Sequence, residues 1–134
     1  TDIVLDVSEA PEYFAEAFLE GVSLGQYDFD VYKKKEERPP VKVQLFHIIA
    51  APGADLHDQQ VRAEMALLLC LSTNGARHLA NTPPNEMTPS ALAEFALGIS
   101  RESGCECTVL DEAQMASLGM NALLGVARGS GQPP

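Results

Sequence analysis

The sequence has no tryptophan and few other aromatic residues, and acidic residues outnumber basic ones. Nine lysines and arginines stand against 19 aspartates and glutamates, which gives a formal net charge of -10. Binding to a phosphate backbone draws most of its affinity from lysine and arginine side chains. We therefore expect no nucleic acid as a direct ligand.

Cysteines and long apolar runs are also scarce. The three cysteines, Cys70, Cys105 and Cys107, make an odd number without framework spacing, so a secreted disulfide scaffold is not indicated. No run approaches the roughly 18 apolar residues of a membrane span, and the N-terminus lacks a signal-peptide pattern. These features predict a soluble, cytoplasmic protein. Both ends look cut from a longer chain, since a strand-like run begins at once and the last residues are Pro133 and Pro134.

The remaining composition is typical of a globular domain. Hydrophobic residues make up 46% and charged residues 21% of the 134 residues, which is close to the average for soluble proteins. A chain of this length can bury roughly two-thirds of its unfolded surface. It is therefore long enough for one ordinary core.

The first third of the chain has the pattern of a βαβ unit. Residues 2–7 form a short run of β-branched and aliphatic residues, and a helix follows with Phe14, Phe18 and Val22 along one face. The run 41–49, VKVQLFHII, predicts a strand buried on both faces, as in a parallel sheet covered by helices. The solvated face of the helix is expected to carry Glu12, Glu16 and Glu20.

Two polar segments separate these elements. Residues 27–32, YDFDVY, alternate aromatic or aliphatic residues with acidic ones, which fits either a strand face or an ordered crossing over the surface. Residues 33–40, KKKEERPP, are charged and contain two prolines. They predict a solvated loop, with a partner-binding patch as the alternative.

The longest predicted helix covers about residues 58–80 and ends within the segment 74–89, NGARHLANTPPNEMTP. An apolar stripe runs along it in steps of three and four residues, which predicts its buried face. The stripe consists of Val61, Met65, Leu68, Ser72, Ala76 and Leu79, with Arg62 and Arg77 off it. A helix of this length suits a connector between two lobes.

The second half predicts a helix, a strand, a short helix and another strand, the opening of a second α/β unit. Thr88 suits an N-cap, Pro89 a first helical position and Gly104 a helix end. Asp111 and Gln114 have the spacing of a capping box. The predicted strands are residues 105–110 and 120–127. The predicted fold class is therefore α/β, with two partial α/β units joined by a long helix.

Four segments of the chain resemble the leucyl aminopeptidase family, the metallo-aminopeptidases that carry two divalent ions. These segments are residues 74–89, the helix opening TPSALAEFA at 88–96, residues 109–134 and, more loosely, residues 15–35. The resemblance implies three regions. They are the end of an amino-terminal α/β lobe (1–54), a linking helix and junction (55–87), and the incomplete start of a catalytic α/β lobe (88–134).

For a full-length parent, the resemblance implies removal of amino-terminal residues from peptides by two divalent ions, zinc or manganese. In the family, segments resembling KGITFDSGG and NTDAEGR supply the ligands. Neither segment is present: Asn81 and Thr82 begin like the second, but Pro83 and Pro84 follow. We therefore assign no catalytic, metal-binding or substrate-binding residue to this chain, and we expect no cofactor in it.

The resemblance also implies a homo-oligomer, a hexamer in the family, with neither nucleic acid nor membrane as a partner. Two functional hypotheses follow. In the first, the chain is a fragment of such an aminopeptidase and is inactive alone. In the second, it is a non-catalytic interaction or assembly module of the same ancestry.

Other sites are weakly indicated. Cys105 and Cys107 share one face of a predicted strand, but a C-x-C pair without a matching second pair is a poor zinc pattern, and ordinary buried thiols are favoured. His47, His57 and His78 lack the spacing of a metal-binding pair and are expected to be packed or solvated.

Overall fold

The computed structural model describes residues 2–11, 13–37 and 42–134. The chain divides into two compact units, Thr1–His78 and Leu79–Pro134. The end of the predicted charged loop and the first residue of the strand predicted after it, residues 38–41, lie outside the described residues.

The first unit is built on two parallel strands with a helix between them in the chain. β1 (Asp2–Asp6) pairs with β2 (Leu45–Ile49), so that Asp2 lies opposite Leu45 and Asp6 opposite Ile49. The connecting helix is α1 (Phe14–Gly25). The βαβ unit and the parallel pairing predicted from the sequence are confirmed.

β2 is covered on one face only, so the prediction that it is buried on both faces was wrong. Side chains alternate along both strands between half-buried and exposed positions. Phe46 and Ile48 line a cavity together with residues of α1, whereas Leu45 and Ile49 are exposed. A sequence pattern records how apolar a strand is, but burial of its second face requires an element that packs there.

The connection between α1 and β2 crosses the surface without forming a strand. Of the two alternatives for residues 27–32, the ordered crossing is observed: the Phe29 ring centroid lies 5.7 Å from that of Tyr32 and 5.2 Å from that of His78. Lys33 Nζ lies 2.8 Å from Asp28 Oδ2. Hydrogen bonding from this ammonium lowers the pKa of Asp28 below its ordinary value.

The long helix α2 (Leu56–Asn81) has 26 residues and a length of about 39 Å. The Asp55 carboxylate accepts hydrogen bonds from the backbone N–H groups of His57 and Asp58, at 3.0 and 3.1 Å. This interaction caps the first turn. The predicted helix is confirmed. Neither α2 nor any other helix in the described part of the chain is long and apolar enough to cross a membrane.

The apolar stripe of α2 is exposed, so the predicted buried face of this helix was wrong. Val61, Met65 and Leu68 are all exposed, whereas Ala66 and Cys70 are buried. At 100° per residue, the two sets lie on nearly opposite sides of the helix. The side of α2 that faces α1 carries small and polar residues, among them Ala66, Cys70 and Asn74, and the Asn74 side chain hydrogen-bonds the backbone of α1.

The second unit contains three helices and irregular segments. They are α3 (Pro89–Ser103), α4 (Glu112–Ser117) and α5 (Asn121–Ala127). The predicted caps are confirmed: Thr88 Oγ1 accepts the N–H of Ala91 at 3.2 Å, and Gly104 ends α3 with a φ of 74°. The capping box is also present, with Asp111 and Gln114 each accepting the other's backbone N–H, at 2.8 and 2.9 Å.

Both strands predicted for the second half were wrong. Residues 105–110 have no regular structure, and residues 121–127 form α5. A strand needs a neighbour for its backbone groups, and periodicity alone does not distinguish a short apolar strand from a helix. The chain therefore combines helices with a small parallel sheet, an α/β-like arrangement. The second predicted α/β unit has no sheet within the described residues 79–134.

Candidate functional site

Polar contacts join α2 to α1 at both ends of the helix pair. Near the start of α2, Arg62 Nε lies 2.9 Å from Glu16 Oε1 and 3.3 Å from Asp58 Oδ2. The Glu16 side chain is only 20% exposed, so the prediction that it lies on a solvated face was wrong. Charges that are shielded from water are screened less than charges on the surface.

Near the end of α2, Arg77 and Asn74 bind the last turn of α1. The Arg77 guanidinium donates to the carbonyl oxygen of Leu24 and to Asn74 Oδ1, both at 2.9 Å, and Asn74 Nδ2 donates to the carbonyl oxygen of Ser23 at 3.2 Å. Arg77 Cζ also lies 4.1 Å from the centroid of the Tyr27 ring. The carbonyls at a helix C-terminus lack partners within their own helix and carry partial negative charge. Arg77 therefore caps α1 from a neighbouring element.

Sequence reasoning missed the roles of Glu16, Arg62, Asn74 and Arg77. One signal was present: small or polar residues recur every four positions, at Arg62, Ala66, Cys70 and Asn74. This second stripe of α2 is less apolar than the predicted one. Hydrophobic periodicity alone therefore ranks it lower, although it is the side that packs against α1.

A cavity of about 460 Å³ lies beside the Glu16 end of the helix pair. The segments that follow β1 and β2 and the N-terminal parts of α1 and α2 form its walls. Its apolar side chains include Val7, Phe46, Ile48 and Leu56, and its polar ones are Ser8, Glu16, Gln59 and Gln60. Open α/β sheets bind ligands beyond the carboxyl ends of their strands, where this cavity lies.

The turn at the edge of the cavity is fixed by Asp6 and Ser8. Asp6 Oδ1 accepts the backbone N–H of Ser8 at 3.0 Å. The hydrogen bond from this N–H lowers the pKa of Asp6 below its ordinary value. The turn directs the chain from β1 along the cavity wall toward α1.

The cysteines do not form the weakly indicated thiolate site. Cys70 is buried in the first unit, with Sγ 4.0 Å from the carbonyl oxygen of Glu20. Burial raises the pKa of the Cys70 thiol, and the negative charge of Glu20 raises it further. Cys105 and Cys107 belong to the second unit and lie in an irregular segment rather than on a strand face.

We expect two fast thiols and one slow thiol in a reaction with Ellman's reagent. Cys105 is exposed and Cys107 half-buried, whereas Cys70 is 3% exposed and its raised pKa reduces the thiolate fraction. Absorbance stopped-flow with and without denaturant measures the rates. A variant with Cys105→Ser and Cys107→Ser should retain only the slow phase, which should become fast on unfolding. A fast phase in that variant would contradict the burial of Cys70.

The three histidines have different surroundings. His47 lies on the open face of β2, His57 in the first turn of α2, and His78 against the Phe29 ring. Within the ranges that the structure describes, no group of three or more His, Cys, Asp or Glu side chains is placed to hold a metal ion. The described residues therefore do not fit the two-ion centre that the family resemblance implies.

Comparison with known proteins connects the whole chain to one group of enzymes. Residues 74–134 match the family model described as the catalytic domain of the cytosol aminopeptidase family. A probable cytosol aminopeptidase of Alkaliphilus oremlandii is 34% identical over 134 residues, which are 100% of this chain and 27% of that protein. One of Geotalea uraniireducens is 41% identical over 120 residues, which are 88% of this chain and 24% of that protein.

Two solved structures also match nearly the whole chain. The bottromycin maturation enzyme BotP in complex with Mn is 26% identical, with a TM-score of 0.77 over 98% of this chain and 27% of that chain. A second structure of BotP is 28% identical, with a TM-score of 0.75 over 98% of this chain and 28% of that chain. The chain spans about a quarter of the length of the relatives it matches.

The similarity to these aminopeptidases extends along both compact units, and the family model begins at Asn74, one of the residues that bind α1. The chain belongs to the cytosol aminopeptidase family.

Proposed function

We propose that this chain is part of a leucyl-aminopeptidase-like enzyme and supplies scaffold rather than catalytic groups. Its three regions would be the end of an amino-terminal lobe (1–54), a linking helix and junction (55–87) and the start of the catalytic lobe (88–134). The observation that carries this proposal is the match of residues 74–134 to the family's catalytic domain, in a chain that spans about a quarter of its relatives.

The contacts of α2 support a scaffolding role for this chain. Asn74 and Arg77 lie in the segment 74–89, which resembles the leucyl aminopeptidase family. Their side chains donate hydrogen bonds to the carbonyl oxygens of Ser23 and Leu24 at the end of α1. Residues within the family match are thus used to fix the long helix to the first unit. A linking helix needs such an anchor if it is to hold a fixed orientation.

The longer enzyme would act on peptides in the cytoplasm. It would remove amino-terminal residues with two divalent ions, zinc or manganese, which it would hold outside this chain, and it would assemble as a homo-oligomer. Two divalent ions can activate a water molecule and polarise the scissile carbonyl. This chain would carry no catalytic, metal-binding or substrate-binding side chain of that centre.

The alternative is a non-catalytic interaction or assembly module of the same ancestry. The exposed apolar stripe of α2 favours this second candidate, since contiguous apolar surface commonly marks a protein interface. The same stripe is compatible with the first proposal if the rest of a longer enzyme covers it. The two candidates therefore differ in whether the chain can function within an active aminopeptidase.

Hydrolysis of leucine p-nitroanilide separates the two candidates. We expect the purified chain, verified by its intact mass, to show no activity with or without added manganese or zinc. We expect a chimera to be active, in which the chain replaces the matching quarter of the Alkaliphilus oremlandii relative. The full-length relative is the positive control, and circular dichroism verifies that the chimera is folded.

Two results would contradict the proposed function. Metal-dependent hydrolysis by the chain alone would show that catalytic groups lie among residues assigned here to the scaffold. A chimera that folds and assembles like the relative but has no activity would favour the non-catalytic module.

A further inference from the structure

The carboxylate of Glu16, which lines the cavity, has one oxygen atom without a hydrogen-bond donor in the described part of the chain. Glu16 Oε2 is buried and has no hydrogen-bond partner among the residues that the structure describes, whereas Oε1 lies 2.9 Å from Arg62 Nε. A buried acceptor without a donor is costly, more so when it carries charge. Because the last torsion of a glutamate is soft, a small rotation can turn Oε2 toward the cavity that this residue lines.

The charges around this carboxylate favour a cationic donor. Two carboxylates, Glu16 and Asp58, share one guanidinium, that of Arg62, so this cluster carries a net negative charge when both are ionised. The whole chain has a formal charge of -10, which also attracts cations. A ligand carboxylate in the same place would meet a like charge.

The remaining walls suit a compact apolar group. Val7, Phe46, Ile48 and Leu56 line the cavity, and its volume of about 460 Å³ lies within the usual range for small-molecule sites. Gln60 and Ser8 add side-chain oxygens that can accept hydrogen bonds. An ammonium group has three donors and no acceptor, which matches this set of acceptors.

We propose that this cavity binds a small primary amine with an apolar body, its ammonium group donating to the Glu16 carboxylate. The site lies at the carboxyl ends of β1 and β2 in the first unit, and it does not depend on the function proposed above. The apolar body of the ligand lies against Phe46 and Ile48.

Titration of the ¹⁵N-labelled chain with 2-phenylethylamine tests this site by NMR. We expect saturable shifts of the backbone amides of Ser8 and Ala63, which line the cavity. 2-Phenylethanol, which has the same apolar body without the charge, should bind about tenfold more weakly or worse. Equal binding of the amine and the alcohol, or shifts spread away from the cavity, would overturn the proposal.

Two variants and one matched control locate the interaction. Glu16→Gln should weaken amine binding about tenfold or more, because it removes the charge of the acceptor. Asp58→Asn removes the other negative charge beside Arg62 without changing a cavity wall, so it should weaken amine binding clearly less than Glu16→Gln does. Ala63→Leu fills the cavity while leaving Glu16 in place, and should abolish saturable binding.

These variants keep the proposal open to refutation. If Glu16→Gln does not fold, the amine-to-alcohol ratio in the unaltered chain and the Ala63→Leu titration decide the matter. Amine binding that survives Ala63→Leu, or that falls equally in Asp58→Asn and Glu16→Gln, would exclude this cavity as the amine site.

Discussion

Replacing Leu19 with alanine is expected to destabilise the first unit by about 2–5 kcal/mol. Leu19 is 1% exposed and is the largest fully buried side chain among the described residues. Its removal leaves a cavity between α1 and its neighbours that surrounding side chains can fill only in part. Domains of ordinary size have total stabilities of about 5–15 kcal/mol, so a loss of this size leaves little margin.

Urea denaturation followed by circular dichroism measures this loss, with Leu71→Ala as the matched control. Leu71 is also a helical leucine, but it is 71% exposed, and its truncation should change the free energy of unfolding by less than about 0.5 kcal/mol. Both substitutions remove the same atoms and have the same effect on helix propensity. Similar losses in the two variants would mean that Leu19 is not a core residue.

Local chemistry explains which parts of the fold could be predicted from the sequence. The Thr88 cap, the Gly104 helix end and the Asp111 capping box depend on residues a few positions apart, and all three are observed. The parallel pairing of β1 and β2 also follows from local pattern, because a strand, helix and strand in succession form a βαβ unit. The caps and helix end depend on neighbouring residues, and the strand pairing follows from the order of the elements, so none of these features requires knowing which distant side chains meet.

Features that depend on distant partners could not be predicted from the sequence. The contact of Glu16 with Arg62 joins residues 46 positions apart, and that of Arg77 with Leu24 joins residues 53 apart. Charge patterns within one helix do not reveal such pairs. The cavity could not be predicted for the same reason, since its walls come from separate segments of the chain.

The error about the buried face of α2 has the same origin. Periodicity finds the side of a helix that is most apolar, and in most isolated domains that side is covered. In this chain α1 packs instead against the side that carries Ala66 and Cys70. The more apolar side, with Met65 and Leu68, is left exposed and available to another surface.

We expect the isolated chain to self-associate through this stripe, and the double substitution Met65→Lys and Leu68→Lys to prevent it. These side chains are 55% and 57% exposed, so burying the exposed part of each in an interface would contribute about 0.8–1.5 kcal/mol. Losing both on each copy should weaken association by at least about a hundredfold. Sedimentation velocity over a range of concentrations measures the change.

A matched control separates the loss of apolar surface from the change in charge. Each lysine adds one positive charge, so the double variant shifts the formal net charge of -10 by two. Glu94→Gln with Glu102→Gln shifts it by the same amount at exposed positions of α3. Reducing a net negative charge weakens repulsion between copies, so this control should associate at least as strongly as the unaltered chain. If the lysine variant associates as strongly as the control, the stripe is not the interface.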